Sequence, residues 1–571
     1  MAGGATVVPP VNQSVIHHAG VQRYASLRQL YISEQKMSRP PKSLTVKLVG
    51  ALVAVSAVLP LSAQASLPRR PRLVVGIVIN GLDIDKVYQL REHLTSGGFN
   101  RLLDKGVTFT NISYGSPLDD AAATAVLMTG AAPAVNGIAA REVYDTSSRT
   151  ARPVLLDTST IGNFTDETFS PKSLRVSTLA DELRIDTSGL GMVHAVSPDA
   201  TTSIIMAGHA GNSACWITDK TGKWASSTYY TELPTSIQQL NHLRPLAARL
   251  DTIRWSPTLP DGAYSELPSH KKIYSFNHTF SSSEADRFAR YKLSAPVNSE
   301  VTTVSLDFLK MLNMGKREPV DMLEVNYTVQ PYTYSRQADT RVELLDSYMR
   351  LDRDLARLFA TIDSQGPGLD KTLIWVAGTP ATNASQSDEE RWRIPGGEFS
   401  PERAVSLLKV NLMSLYGNGD WVTGYYNNQI YLNRELIQQR GKDLNEIRRE
   451  SADFLRRMSG VTYAVTIDQA IAANESADSP FPPARNIDID TAGDVIISVA
   501  PGWEIVQNAN SQINRTVERG KASSSAAFIM CPDIDARVID TPVDARVIAP
   551  TVARLLRIRS PNGARLSPVR L

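Results

Sequence analysis

Cysteine and histidine are the scarcest metal-binding residues in this chain of 571 residues. Its two cysteines, Cys215 and Cys531, exclude a disulfide scaffold and a four-cysteine zinc site, although one bridge between them stays open. The eight histidines all lie at or before His278. The long stretch after His278 therefore supplies no imidazole, which excludes hydrolases that need imidazole metal ligands there.

An excess of charge of one sign is also missing. The chain has 60 Lys and Arg against 58 Asp and Glu, a net charge of +2, so it lacks the basic excess of a nucleic-acid-binding protein. Its composition, 42% hydrophobic and 21% charged, is typical of a globular protein and excludes a disordered chain. After residue 65 no apolar run approaches the length of about 18 residues that suggests a transmembrane helix. We expect a mature chain with no transmembrane segment and no nucleic-acid partner.

The one extended apolar run lies near the N-terminus. Residues 48–61 follow two lysines and end in an A-x-A pattern just before Ser66, which predicts a signal peptide over residues 37–65. A membrane anchor is the alternative. We expect export to the periplasm or the cell envelope. Residues 1–36 are interpreted as an extension of the gene model, because Met37 begins a typical basic leader segment.

The start of the mature chain, residues 66–571, predicts an α/β fold. Residues 73–79 form an uninterrupted apolar run, which is typical of a strand buried on both faces. A helical pattern broken by Gly97-Gly98 and a second β-like run at 107–112 follow. This β-α-β order predicts a doubly wound, mostly parallel sheet, whose ligands bind at the carboxyl ends of the strands. Asn80 and the segment after Tyr114 should lie at that edge.

Two further parts of the chain are predicted to be inserted cap subdomains, at about residues 190–300 and 395–480. The second insertion is predicted to contain a helix, a strand and a second helix. The remaining predicted elements are strands at 323–329, 373–377, 495–499 and 526–530, helices at 340–362 and 548–556, and, inside the second insertion, helix 401–416, strand 422–432 and helix 434–458.

The order of several short motifs resembles a known family. PRLVVGIVI at Pro71, GGFNRLL at Gly97 and MTGAAPAVNGI at Met128 are similar to the type I phosphodiesterase and nucleotide pyrophosphatase branch of the alkaline phosphatase superfamily. Within that superfamily the chain resembles the periplasmic, PafA-like alkaline phosphatases. The resemblance implies the superfamily's fold and hydrolysis of phosphate esters by two zinc ions and a Thr or Ser nucleophile.

The same resemblance implies where the catalytic residues should stand. Asn80 occupies the position of the family's first metal-binding Asp, and an amide lacks the negative charge that two divalent cations need. Asp120 occupies the nucleophile position, and Thr124 the position of a following His. A carboxylate is a nucleophile in other phosphotransferases, so Asp120 alone does not exclude activity.

The remaining matched positions also depart from the family pattern. The other metal-ligand positions hold Pro331, Ser335, Gly378, Thr379 and Ser525. The positions of phosphate-binding residues hold Arg141, Asp199 and Thr201. No matched metal ligand is kept, so the sequence predicts a protein without the two zinc ions of the family.

These replacements predict a catalytically inactive relative of the phosphatases. We expect an exported pseudoenzyme that acts as a protein-binding or structural subunit in the cell envelope. One alternative is a metal-dependent hydrolase of phosphate mono- or diesters with an atypical site around Asp120. A second alternative is a protein that binds a phosphorylated or glycan ligand in the vacated cleft, near Arg141.

Side chains outside the matched positions carry two further expectations. Aromatic residues of the insertions are candidate anchors for a partner protein: Trp224, Tyr229, Tyr230, Trp255 and Tyr425. The paired carboxylates are expected to be structural, as helix caps at Asp83/Asp85 and Asp119/Asp120 and as a solvated, ion-paired helix face at Asp352/Asp354.

Overall fold

The computed structural model describes residues 70–230, 233–260, 275–335, 340–381, 396–473, 482–500, 502–506, 515–518 and 523–571. Residues 1–36 and 37–65, interpreted above as an extension and a signal peptide, lie outside the described residues. Arg69–Leu571 forms one compact unit. No helix in the described part is long and apolar enough to cross a membrane.

The strands and helices are numbered in chain order. Strands β1 to β22 are Leu73–Asn80, Val107–Ser113, Glu142–Asp145, Thr150–Pro153, Gly162–Asn163, Val193–Val196, Ser213–Ile217, Trp224–Ser227, Arg254–Trp255, His278–Thr279, Asp321–Thr328, Thr372–Gly378, Glu398–Phe399, Val422–Tyr426, Gln429–Leu432, Val461–Thr466, Val495–Val499, Trp503–Val506, Arg515–Glu518, Ser524–Met530, Arg537–Ile539 and Val543–Asp544. Helices α1 to α16 are Ile84–Gln89, Phe99–Lys105, Asp120–Thr129, Pro133–Asn136, Leu179–Asp186, Ala200–Ala207, Thr235–Leu243, Leu246–Arg249, Arg287–Lys292, Pro296–Met311, Arg341–Gln365, Pro401–Tyr416, Arg434–Gln439, Leu444–Arg456, Ile467–Ala472 and Ile548–Leu556.

A long mixed sheet organises the fold. Ten of its strands follow the order β21-β2-β20-β12-β1-β11-β6-β7-β8-β5, and β22 pairs with β2 as the eleventh. Strand β1 is buried along its whole length and pairs in parallel with β11 on one side and β12 on the other. Strands β6 and β7 continue the parallel pairing, and β20 is antiparallel to β12 and β2. The predicted α/β fold with a mostly parallel sheet is confirmed.

Helices cover both faces of this sheet, which makes two separate hydrophobic cores. The odd-numbered side chains of β1 face one core, together with α10 and α11. Val74 and Val78 face the other core, together with α3, α6 and α16. Apolar residues on both faces explain why β1 reads as an uninterrupted apolar run in the sequence. Cys215 lies in the first core and Cys531 in the second, and both are free thiols, so no bridge joins them.

The two predicted insertions differ in their relation to the sheet. Strands β6, β7 and β8 fall inside residues 190–300 and belong to the main sheet. The segment 395–480 instead contributes to a separate four-stranded sheet, in the order β14-β15-β17-β16, with its own hydrophobic core.

Two predicted elements inside residues 395–480 are wrong. Residues 422–432, predicted as one strand, form the hairpin of β14 and β15, because Asn427 and Asn428 adopt φ of 46° and 59° and turn the chain. Residues 434–458, predicted as one helix, form α13 and α14. Gly441 lies between these two helices with φ of 59°, a value that ends regular helix.

The predicted aromatic anchors are mostly buried. Trp224, Tyr230 and Trp255 are at most 5% exposed, so they cannot serve as interface anchors and that expectation is wrong for them. Tyr229 is 41% exposed and Tyr425 is half-buried. The buried rings hold hydrogen bonds within the fold, such as the one from the Trp255 indole to Asp346 at 2.7 Å.

The carboxylates of α11 are also not where the sequence predicted. Asp352 and Asp354 are 1% and 4% exposed, so the solvated face predicted for them is wrong, although Asp354 does form an ion pair with Arg357 one turn along α11. Asp352 accepts hydrogen bonds from the backbone N–H groups of Thr95 and Phe99, both at 2.7 Å, and so caps the start of α2. A Cβ on Gly98 would lie 2.1 Å from Asp352 Oδ1, which explains the glycine pair that interrupts the first helical pattern. The predicted caps are confirmed for Asp83 and Asp119, which accept from Asp85 N and Ala122 N.

We expect the Asp352→Asn variant to lose about 2 kcal/mol of unfolding free energy. The amide offers one acceptor oxygen where the carboxylate offers two, so one buried backbone N–H loses its partner. Urea unfolding followed by circular dichroism measures the loss. The exposed Asp104→Asn change on α2 is the control, and equal stability of both variants with the parent would contradict this role of Asp352.

Candidate active site at the carboxyl edge of the sheet

The ends of three central strands meet where the sequence predicted a ligand site. Asn80 pairs with Thr328 at the ends of β1 and β11, and Ile79 pairs with Gly378 at the end of β12. The chain after each strand turns over the same edge. This edge therefore collects side chains that are distant in the sequence.

Asp120 is the carboxylate that these segments surround. It is the first residue of α3, and Asp119 is the N-cap. Asp120 Oδ1 accepts a hydrogen bond from Thr379 Oγ1 at 2.5 Å and a longer one from Gln330 Nε2 at 3.4 Å. Its Oδ2 has no hydrogen bond with the described residues. Burial raises the pKa of Asp120, and the Thr379 hydrogen bond and the charge of Arg141 offset this only in part.

A second group of charges lies beside Asp120. Asp119 Oδ2 accepts a hydrogen bond from the backbone N–H of Arg141 at 2.6 Å, and the Arg141 guanidinium pairs with Asp199. Asp199 is the N-cap of α6 and accepts from Thr202 N at 2.9 Å. Burial opposes the charge on Asp199, but the charges of Arg141 and Lys292 and the hydrogen bonds from Thr202 together outweigh it and lower the pKa of that carboxyl. Arg141 thus lies close to three carboxylates, those of Asp119, Asp120 and Asp199, at the N-termini of α3 and α6.

The strand ends themselves carry neutral polar groups. Asn80 Oδ1 accepts from Asn326 Nδ2 at 3.0 Å, in the interior of the sheet. The carbonyl of Gly378 accepts from the Tyr114 hydroxyl at 2.6 Å. Ser525 donates to the carbonyl of Leu82 at 2.7 Å. Each of these groups thus bonds to a different neighbour within the fold.

The other predicted positions divide into two groups. Thr124 and Thr201 are buried inside α3 and α6, and the Thr124 hydroxyl donates to the Asp120 carbonyl at 2.6 Å. Pro331 follows β11 and Gln330 at the same edge. Ser335 instead donates to Glu343 at 2.8 Å, and Glu343 also contacts His278. The structure therefore joins Asp120, Thr379, Arg141 and Asp199 and leaves Ser335 in a different cluster.

Several residues that contact Asp120 or the strand ends were not predicted from the sequence. Gln330, Asn326 and Tyr114 contact Asp120 or the strand ends, yet none of them stands at a matched position. Tyr426 of β14 donates to Glu142 at 2.5 Å, next to Arg141, and so ties the 395–480 segment to the site. Their places in or directly after predicted strands gave a signal in the sequence, but nothing there indicated these contacts.

The zinc ions that the family implies need a group of imidazole, thiolate or carboxylate ligands. In the part of the chain that the structure describes, no three His, Cys, Asp or Glu side chains form a group that could hold a metal ion. Asn80, Gln330 and Thr379 offer neutral oxygens, which are poor zinc ligands. The described residues at the strand ends therefore do not fit a pair of zinc ions.

Comparison with known proteins identifies the class. Residues 74–525 match the family model described as type I phosphodiesterase / nucleotide pyrophosphatase, and the chain belongs to this family. It is 27% identical to alkaline phosphatase PafA of Elizabethkingia meningoseptica over 91% of this chain and 98% of that protein. It is 28% identical to alkaline phosphatase PhoV of Synechococcus elongatus, over 87% and 92% of the two chains. The crystal structure of wild-type PafA matches with a TM-score of 0.76 at 24% identity, covering 88% of this chain and 98% of that one, which shows a shared fold.

These relatives correct one expectation. The prediction that the protein has no metal cofactor is wrong, because its similarity to alkaline phosphatases over about nine tenths of its length points to metal cofactors. The described residues at the strand ends do not form a zinc site, so the side chains that would hold a metal ion are not identified by them. This mismatch does not argue for a metal-free protein.

The raised pKa of Asp120 predicts a pH-dependent effect of its replacement. A carboxyl whose folded pKa lies above its ordinary value of 3.8 stabilises the fold below that value, and this contribution is lost as the pH rises through the folded pKa. The Asp120→Asn variant keeps the acceptor oxygen for Thr379 but cannot ionise. We expect its melting temperature to exceed that of the parent at pH values near 8 and the difference to shrink near pH 4. A difference that does not change with pH would contradict the raised pKa.

Proposed function

We propose that the protein hydrolyses phosphate monoesters or diesters at the carboxyl edge of the sheet, with Asp120 as the reacting carboxylate. The observation that carries this proposal is the place of Asp120. It lies at the N-terminus of α3, beside Arg141, with one oxygen held by Thr379 and the other without a hydrogen bond to the described residues. Membership in a family that contains phosphodiesterases and alkaline phosphatases supports the same reaction class.

The surroundings of Asp120 suit a phosphoryl group. The first amides of a helix attract anions, and α3 has ten residues, long enough for this effect. Arg141 adds a guanidinium that can bind phosphate oxygens, although it must share its charge with Asp199. The backbone of Arg141 is fixed by Asp119, so its side chain starts from a defined position.

The chemistry of a carboxylate nucleophile proceeds in two steps. Asp120 Oδ2 attacks phosphorus, the phosphorus–ester oxygen bond breaks, and the alcohol leaves after taking up a proton from solvent. Water then attacks the acyl phosphate, which restores the carboxylate and releases phosphate from a monoester substrate or a phosphate monoester from a diester substrate. Thr379 holds Oδ1 throughout, so that Oδ2 stays directed at the substrate. Only the ionised form of Asp120 attacks, and its raised pKa therefore shifts the rise of activity toward higher pH.

Turnover of para-nitrophenyl phosphate and bis-para-nitrophenyl phosphate tests this function. The assays are run with added zinc, with added magnesium and with a chelator. We expect the Asp120→Ala variant to lose at least about a thousand-fold in kcat, because a nucleophile is removed. The exposed Asp535→Ala variant, at the far end of β20, is the matched control and should keep its activity.

Two outcomes would contradict the proposal. Turnover that survives in Asp120→Ala would assign the reaction to another residue or to a contaminant. No turnover by the parent protein under any metal condition, in a sample that melts cooperatively, would favour the second candidate function.

The second candidate is a non-catalytic subunit of an envelope complex. It is favoured by the neutral groups at the strand ends, where Asn80, Gly378 and Ser525 bond to neighbours within the fold. A surface for a partner protein is offered by α12, whose Leu407, Val410 and Leu415 are 41%, 60% and 54% exposed. Val410→Glu should then release a partner that the parent protein retains during affinity isolation from its own envelope fraction.

Export is part of both proposals. The leader pattern at residues 37–65 supports it, and sequencing the N-terminus of the mature protein tests it. A first residue of Ser66 in the exported fraction is the expected result. An intact leader in a membrane fraction would favour the anchor instead.

A further inference from the structure

Glu324 is a buried carboxyl group for which the described residues provide no hydrogen-bond partner. It lies in the middle of β11, is 0% exposed, and neither of its oxygens has a hydrogen bond. Other buried acids are paired: Asp352 accepts two backbone N–H groups, and Asp346 accepts the Trp255 indole and Arg350. A polar group left unpaired in a core costs about 1–3 kcal/mol, so this position needs an explanation.

The fold has made room for this carboxyl group. Gly76 of β1 pairs with Glu324 on one side and with Trp375 of β12 on the other. A Cβ on Gly76 would lie 2.1 Å from Glu324 Oε2, so the carboxyl occupies the space that a side chain at residue 76 would fill. Trp375 belongs to the core on this same face, and its indole Nε1 is likewise buried with no hydrogen bond. Three unpaired polar atoms, two on Glu324 and one on Trp375, therefore lie in the same core on the two strands that flank β1.

The elements around these atoms bring no compensating charge. β1, β12 and α6 contain no ionisable side chain. In α3 the one ionisable residue is Asp120 at its N-terminus, and in β6 it is His194, which stacks on Phe308 in the opposite core. Burial alone raises the pKa of Glu324 well above its ordinary value. Neighbouring Ala195 pairs with Glu324 and offers only its methyl group on this face.

We propose that Glu324 and Trp375 line an internal water-binding site in the core under α3 and α6, and that Glu324 occupies it as the neutral carboxylic acid. Water supplies what each atom lacks, because it accepts from the indole N–H and both accepts from and donates to a carboxyl group. Internal waters typically make about three hydrogen bonds to buried polar groups of this kind. Without water, both Glu324 oxygens and Trp375 Nε1 would have no hydrogen bond to the described residues.

The site lies beneath the candidate active site. Asn326 follows Glu324 by two residues on the same face of β11, and it donates to Asn80 at the carboxyl edge. Its Oδ1 also accepts from Ser197 at 3.0 Å. Polar groups thus continue along one face of β11 from the site edge into the core, and water at Glu324 would be their innermost member.

The neutral acid makes stability depend on pH with a definite sign. Glu324 contributes stability that is fully present below its ordinary pKa of 4.5 and is lost as the pH rises through its higher folded value. The Glu324→Gln variant cannot ionise and keeps the size and polarity of the side chain. We expect the melting temperature of Glu324→Gln to rise relative to the parent between about pH 5 and pH 9.

Infrared difference spectroscopy tests the protonation directly. The parent minus Glu324→Gln spectrum at neutral pH should contain the carbonyl band of a protonated carboxyl group, shifted in D2O. The Asp352→Asn variant is the matched control, since that carboxyl is equally buried but accepts hydrogen bonds from two backbone N–H groups, and its difference spectrum should lack this carbonyl band. Carboxylate bands in the Glu324→Gln difference would overturn the proposal.

A crystal structure of the parent protein at high resolution tests the water. We expect an ordered water within hydrogen-bond distance of the Glu324 carboxyl and of Trp375 Nε1. A site without water would overturn this part, whatever the infrared result. Trp375→Phe serves as a second variant that leaves Glu324 in place: it should remove or displace the water while the carboxylic acid band stays.

Discussion

The parallel pairing of β1 with β11 and β12 is the constraint on which the site depends. Because all three strands run in the same direction and in fixed register, their carboxyl ends reach one edge together. The segments that follow can then bring Thr379 and Gln330 to Asp120, although more than 200 residues separate them from it in the chain. A slip of one residue in β1 would turn its side chains to the opposite cores and separate these contacts.

The candidate site combines a charged part and a neutral part. Asp119, Asp120, Arg141 and Asp199 lie at the N-termini of α3 and α6, where backbone amides favour anions. The strand ends instead carry amides, hydroxyls and carbonyls that bond to one another. The relatives point to metal cofactors, yet the strand ends offer little negative charge to attract them. The proposed reaction therefore relies on the helix side of the site rather than on the strand ends.

The sequence predicts the fold well and the site only in part. A run such as residues 73–79 requires cover on both faces, so a parallel α/β sheet follows from it directly. The pairing of Asp120 with Thr379 does not follow, because it depends on where two distant loops meet above the sheet. Asp352 shows the limit most clearly: beside arginines on a helix it resembles a surface residue, yet it caps another helix in the core. Asn427 and Asn428 gave a turn signal that the apolar residues around them concealed.

Gly76 and Glu324 are far apart in the sequence but adjacent in the sheet. The Glu324 carboxyl fills the space that a side chain at residue 76 would need, so the sizes of the two residues depend on each other. In any relative with the same register, a larger residue at the position of Gly76 requires a smaller one at the position of Glu324. The two sites should therefore change together during evolution: a larger residue at position 76 alone would clash with Glu324, and a much smaller residue at position 324 alone would leave a cavity in the middle of the sheet.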